Sequence, residues 1–119
     1  MIGELDATEL LIWGIVLHLG VDWLLQNDWI VLHKASLRHP AAWVHAGIHG
    51  AALALIFPPI AAVAVAATHL LIDTRWPLGQ WDRAFQHISD TPQGDLVRMW
   101  SDQVLHILVL AAAALLVTS

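Results

Sequence analysis

The chain has 119 residues, 58% of them hydrophobic and only 13% charged, with a net charge of −5 at pH 7. That length suits one domain, and the charge content is about half the ~25% with which a soluble domain covers its surface. The acidic balance excludes nucleic acid as a partner, since that demands clustered Lys and Arg. The absence of cysteine excludes disulfides and thiolate metal sites.

Met1-Ile2-Gly3-Glu4-Leu5-Asp6 is acidic and lacks the basic start of a signal peptide, so it reads as part of the mature protein. Apolar helices are expected over about 8–27, 41–57, 60–76 and 96–117. From Pro40 to Ile72 there is no Lys, Arg, Asp or Glu. This stretch is too long for one membrane span, and Phe57-Pro58-Pro59-Ile60 interrupts it, because proline removes an amide donor and clashes with the preceding turn. The expectation is a membrane hairpin. Its two arms are short against the ~20 residues that a bilayer core needs, so they require a thinned bilayer or support from neighbouring subunits of a homo-oligomer.

The connections carry the topology. Lys34 and Arg38 lie between the first two spans, Arg75 and Arg83 between the last two, and Arg98 just inside the fourth. Glu4, Asp6 and Glu9 lie at the opposite end of the first span. The positive-inside rule then places both long connections in the cytoplasm and both termini outside. Trp81, Ala84, Phe85 and Ile88 follow i, i+3, i+4, i+7 spacing and predict a short amphipathic helix on the interface. Trp23, Trp29, Trp43, Trp76 and Trp100 fit an aromatic belt at the same level. The fold class is all-α: a four-helix transmembrane bundle with one interfacial helix before the last span.

Each span carries one polar pair at i, i+4: His18 and Asp22, His45 and His49, His69 and Asp73, Asp102 and His106. Residues four apart share a helix face about one turn, or ~6 Å, from each other. With alternating helix directions, Asp22, His45, Asp73 and Asp102 fall nearer the cytoplasmic face. His18, His49, His69 and His106 fall one turn deeper. A lone intramembrane histidine is ordinarily a hydrogen-bonding group between helices. Four pairs at one spacing and matched depths point instead to metal, because a divalent cation neutralises carboxylates and takes imidazole lone pairs directly. Helix-borne Glu, Asp and His ligands in a bundle core are an established way to hold two metals. Nitrogen and oxygen donors without sulfur suit zinc, and also manganese or iron, with one or two ions expected. Gln26, Lys34, Arg75 and Arg98 are candidates for the surrounding shell or a substrate rim. His33, His39 and His87 read as solvated or interfacial, with His39 before Pro40 helping to begin the second span.

His18-Leu19-Gly20-Val21-Asp22-Trp23-Leu24-Leu25-Gln26, followed by Asp28-Trp29 and Lys34, resembles the signature of a family of small bacterial and phage membrane proteins of unknown function. His45-x3-His49, His69-x3-Asp73 and Asp102-x3-His106 are similar to that family's later motifs. More distantly, the chain is similar to membrane-bound metal-dependent hydrolases of the bacterial DNA-damage response. Its His-x3-Asp and His-x3-His elements resemble the helical zinc-dependent phospholipase C and P1 nuclease group, although that group's amino-terminal Trp ligand and soluble fold are missing here.

Two functions compete. In a metal-dependent hydrolase, a bound metal activates water, Asp22 and Asp102 bridge metal or act as base, and Lys34, Arg75 and Arg98 receive a phosphate. The substrate would then be a phospholipid or another phosphoester, met among membrane lipids. The alternative is a non-catalytic metal-stabilised scaffold, or a subunit of a metal or proton pathway. Transport fits less well, because Ala51–Ile56 and Ala61–Ala67 offer no polar steps through the outer half. Haem fits less well too, since Asp beside His does not help to bind a porphyrin.

Overall fold

The computed structural model describes residues 4–119, and every regular element among them is helical. The expectation that Met1-Ile2-Gly3 belongs to the mature chain lies outside the described residues. Helix α1, Ala7–Leu24, begins at a capping box. Asp6 accepts from the Glu9 amide at 2.8 Å, and Glu9 accepts from the Asp6 amide at 2.9 Å. It ends three residues before the expected boundary, because Asn27 caps a short extra helix, α2, Asp28–His33. The Asn27 side chain accepts from the Ile30 amide at 3.0 Å. Nothing in the apolar spacing announced this helix.

Helix α3, Pro40–Leu53, starts as expected, with Nδ1 of His39 accepting from the Ala41 amide at 3.0 Å and Pro40 in the first turn. It stops at Leu53, four residues early. The chain there tightens into turns that bring the Phe57 amide back to the Leu53 carbonyl at 2.8 Å and bury the Phe57 ring completely. Helix α4, Pro59–Asp73, follows the proline pair. It also stops short of the expected 76, because Arg75 adopts left-handed backbone (φ 65°) and turns the chain into α5, Trp76–Trp81.

Helix α5 runs on into a π-helical turn, Asp82–Gln86, which His87 ends with a φ of 52°. The amphipathic helix expected around Trp81–Ile88 is therefore displaced toward the amino terminus, and Ile88 lies beyond it, its amide donating to Asp82 Oδ1 at 2.8 Å. None of its residues is buried, and the Trp81 and Phe85 rings lie 4.4 Å apart on the surface. Helix α6, Pro92–Thr118, opens with Thr91 accepting from the Gly94 amide at 3.0 Å. Only glycine fits at position 94, since a Cβ would collide with the Ser89 carbonyl oxygen.

The four longer helices close a ring: α3 packs against α1 and α4, and α6 against the same two. Close approach of α3 and α4 depends on small residues, because a Cβ on Gly50 would stand 3.1 Å from that of Ala66. One half of the interior is apolar, built from Leu10, Leu53, Phe57, Val65, Leu110 and Ala114 among others. The other half is polar. Large apolar side chains cover the outside, including Leu24 at 81% and Ile60 at 86% exposure.

Helices α1 and α6 are long and apolar enough to cross a membrane. At 14 and 15 residues, α3 and α4 extend only ~21–23 Å at 1.5 Å per residue, against a hydrocarbon core of ~30 Å. Two of the four expected spans thus meet the length requirement by themselves.

Phe57 anchors the apolar half with no exposed surface. Phe57→Ala should destabilise the fold by about 3–5 kcal/mol, through lost burial plus a cavity. Ile60→Ala, at an exposed position, should change stability by less than about 0.5 kcal/mol. Unfolding of the two variants followed by tryptophan fluorescence measures both.

Candidate metal centre

The polar half of the interior is assembled from one face of each long helix. Asp22 and His18 come from α1, His45 and His49 from α3, His69 and Asp73 from α4, and Asp102 and His106 from α6. All eight are buried, with exposures from 0% at His45 to 7% at Asp102. The i, i+4 spacing sets them in two tiers. Nearer the long connections, His45 Nε2 lies 3.0 Å from Asp22 Oδ1 and 3.5 Å from Asp73 Oδ2. One turn deeper, four imidazoles close a ring. Their centroid distances are 5.1 Å for His18–His49, 3.7 Å for His49–His69, 4.3 Å for His69–His106 and 4.8 Å for His106–His18. A void of about 10 Å³ opens among these four rings, bounded on its other side by Leu53, Val65 and Leu110.

Asp22 is the hub. Its Oδ1 accepts from both His45 and His49 Nε2 at 3.0 Å, and Gln103 Nε2 donates to its Oδ2 at 3.4 Å. His106 donates from Nδ1 to the Asp102 backbone carbonyl at 2.7 Å. That bond fixes the tautomer and leaves a lone pair on Nε2, which faces Asp73 Oδ1 at 3.5 Å without a hydrogen bond. His69 Nε2 is 2.9 Å from Asp73 Oδ2 but out of line for a hydrogen bond, and His45 Nδ1 has no partner either. Buried polar atoms without partners are costly. Here the Nε2 atoms of His69 and His106 converge on the Asp73 carboxylate, an arrangement that a proton or a metal cation among them would satisfy.

Net charge reinforces the geometry. Among the described residues, no Lys or Arg comes within 4.0 Å of Asp22, Asp73 or Asp102. Imidazolium could balance some of this charge, yet rings this close cannot all be cationic without strong mutual repulsion. Two donor groups have ligand atoms within 4.8 Å of one another: Asp22, His45, His49 and His69, and then His69, Asp73 and His106. Either could hold a metal ion, and the residue types suit a divalent cation with nitrogen and oxygen ligands.

Six of the eight expected donors therefore fall in these groups. His18 and Asp102 stand beside them. His18 Nε2 meets Gln103 Oε1 at 3.1 Å and Asp22 Oδ2 at 3.4 Å. Asp102 Oδ2 accepts from Gln103 at 3.3 Å, and its side chain, at 10% exposed, is the most open of the three carboxylates. Gln103 is the member that sequence reasoning missed. It touches His18, Asp22 and Asp102 at once, and the available signal was a neutral amide three residues before His106 in an apolar helix.

The expected outer residues divide. Gln26 accepts from Lys34 Nζ at 3.3 Å, so these two hold each other. Lys34 and Arg75 are near enough for their charges to act on Asp102. Arg98 is engaged elsewhere, with Asp90 and Asp95 at 3.1 Å and the Ile88 carbonyl at 2.8 Å, where it braces the loop before α6.

No curated protein and no solved structure matches this chain. The pattern of one family covers nearly all of it, including all eight His and Asp residues of the centre, and the chain belongs to that family, described as protein of unknown function (DUF3307), over residues 10–119.

Proposed function

We propose that this protein is a membrane-embedded metal-dependent hydrolase that acts on a phosphoester or lipid substrate from the cytoplasmic face. The observation that carries the metal reading is the cluster of three buried carboxylates and five buried imidazoles with no Lys or Arg within 4.0 Å among the described residues, in which the unpartnered His69 and His106 Nε2 atoms face Asp73. Zinc suits the donors best, with one or two ions distributed over the two groups that share His69. A bound metal of this kind lowers the pKa of its water to ~7 and supplies a nucleophile at neutral pH. Asp102, outside both donor groups and the most open carboxylate, is placed to take a proton, and Asp22 to hold the His45 and His49 rings in register. Lys34 and Arg75 would receive a phosphate. The resemblance to membrane-bound hydrolases and to the phospholipase C group points the same way.

The membrane placement rests on two full-length apolar helices, on the uncharged stretch from Pro40 to Ile72, and on the apolar outer surface. In this reading α3 and α4 complete a four-span bundle in a bacterial inner membrane, with locally thinned lipid or a second copy of the chain covering their short ends. The near-complete burial of the six grouped donors favours a second reading, a closed metal site that serves only as a scaffold.

Chelator-washed protein purified in detergent should retain one or two transition-metal ions per chain by elemental analysis; metal-free folded protein would remove the proposal. His49→Ala should lose metal and thermal stability together, because ligand loss and folding are coupled. Asp102→Asn should keep at least one ion and lower phosphoester hydrolysis about 100-fold or more, the usual weight of a general acid or base. Parallel loss of metal and stability in both variants would instead identify a structural site.

Orientation has its own measurement. Ser36→Cys and Ser119→Cys, both exposed positions, are treated in intact cells with a membrane-impermeant thiol reagent. Labelling at 119 and protection at 36 are expected. The reverse pattern would put the centre at the outer face.

A further inference from the structure

A cavity of about 740 Å³ runs along the outside of the bundle between α5 and α6, walled mainly by Trp81, Leu96, Val97, Trp100, Val104 and Leu108. At one end it shares Leu78, Gln86 and Ser101 with a smaller pocket of about 110 Å³ whose walls also carry Arg75, Arg98 and Asp82. An apolar trough thus leads directly into a compartment with two guanidinium groups. The π-helical turn forms the corner, with Gln86 facing both spaces.

The charges of that compartment are not equally committed. Arg75 makes no ion pair or side-chain hydrogen bond among the described residues, although it occupies a left-handed backbone position that an L side chain adopts at a cost. Arg98 pairs with Asp90 and Asp95, but these carboxylates are 99% and 77% exposed, so the pairs are screened and exchangeable. Asp82 Oδ1 is occupied by the Ile88 amide. The pocket is close to the candidate centre along the chain: Arg75 follows Asp73 by two residues, and Ser101 immediately precedes Asp102.

We propose that this composite groove binds one anionic phospholipid, with an acyl chain along the trough and the phosphate against Arg75 and Arg98. An occupant must be long and apolar for most of its length and negative at one end. A free phosphate would leave the trough uncovered. The trough's volume lies within the ~300–1,000 Å³ of ordinary ligand sites. Trp81 and Trp100 beside it are amphipathic rings suited to the headgroup level. This inference rests on the proposed membrane placement, and it gives the proposed hydrolase its substrate class: an anionic lipid held against the side of the bundle.

The test is native mass spectrometry of the full chain in a neutral detergent, with phosphatidylglycerol or phosphatidylcholine of identical acyl chains added. Retention of one phosphatidylglycerol, favoured about fivefold or more over phosphatidylcholine, is expected. Arg75→Gln should abolish the preference, and Val104→Trp, which fills the trough, should reduce retention of both lipids. Arg83→Gln, at an exposed basic residue outside the pocket, should leave the preference intact. Equal retention of the two lipids, or an equal effect of Arg83→Gln and Arg75→Gln, would overturn the inference in favour of unspecific lipid or surface charge. Loss of the lipid on adding inorganic phosphate at the same concentration would overturn it in favour of a free phosphate. Metal content is read on the same samples. Lost lipid preference with metal retained counts against the groove alone, and metal-free protein with intact preference counts against the hydrolase alone.

Discussion

Everything in this fold is arranged around three carboxylates that have been taken out of water without a lysine or arginine to meet them. Removing an ionised carboxylate from solvent costs several kcal/mol, even after relaxation, unless charge and hydrogen bonds are returned to it. Asp22 regains part of this from two imidazoles and an amide. Asp73 faces ring nitrogens that are badly aligned for donation. The four long helices are thus held together at one end by ordinary apolar packing around Phe57. At the other end they are held by a polar cluster that could hold a metal ion.

The division explains the otherwise weak geometry of the middle of the chain. Helices α3 and α4 are short, and the turn between them offers little cooperative length. Each nevertheless contributes two donors to the centre, and Gly50 against Ala66 keeps the two axes close enough for the His49 and His69 rings to lie 3.7 Å apart. Small residues at this seam therefore serve the centre as much as the packing. Enlarging one would separate the rings before it disturbed the apolar half.

Much of this was legible in the amino-acid order. The i, i+4 pairs and alternating helix directions were enough to set eight side chains at two depths, because helical geometry is local and regular. Helix ends were less legible. α1 stops at Leu24 because of an Asn27 cap, α3 at Leu53 because of the turn that buries Phe57, and α4 at Asp73 because Arg75 takes a left-handed conformation. Each depends on one residue's backbone choice, which hydropathy does not record. Gln103 escaped notice because its partners are His18 and Asp22, more than 80 residues away, and the rotation of α6 that brings them together is set by packing. Arg98 is held by the opposite kind of contact. Its neighbours Asp90 and Asp95 are near in sequence and hold it at the loop.

The two donor groups differ in where they lie along the chain. Asp22, His45, His49 and His69 all precede the last helix, whereas the second group needs His106. The first set is therefore drawn from α1, α3 and α4 alone, and the second joins α4 to α6. His69 belongs to both. The connection between the two sets therefore runs through one imidazole, which ties the α1, α3 and α4 side of the ring to α6.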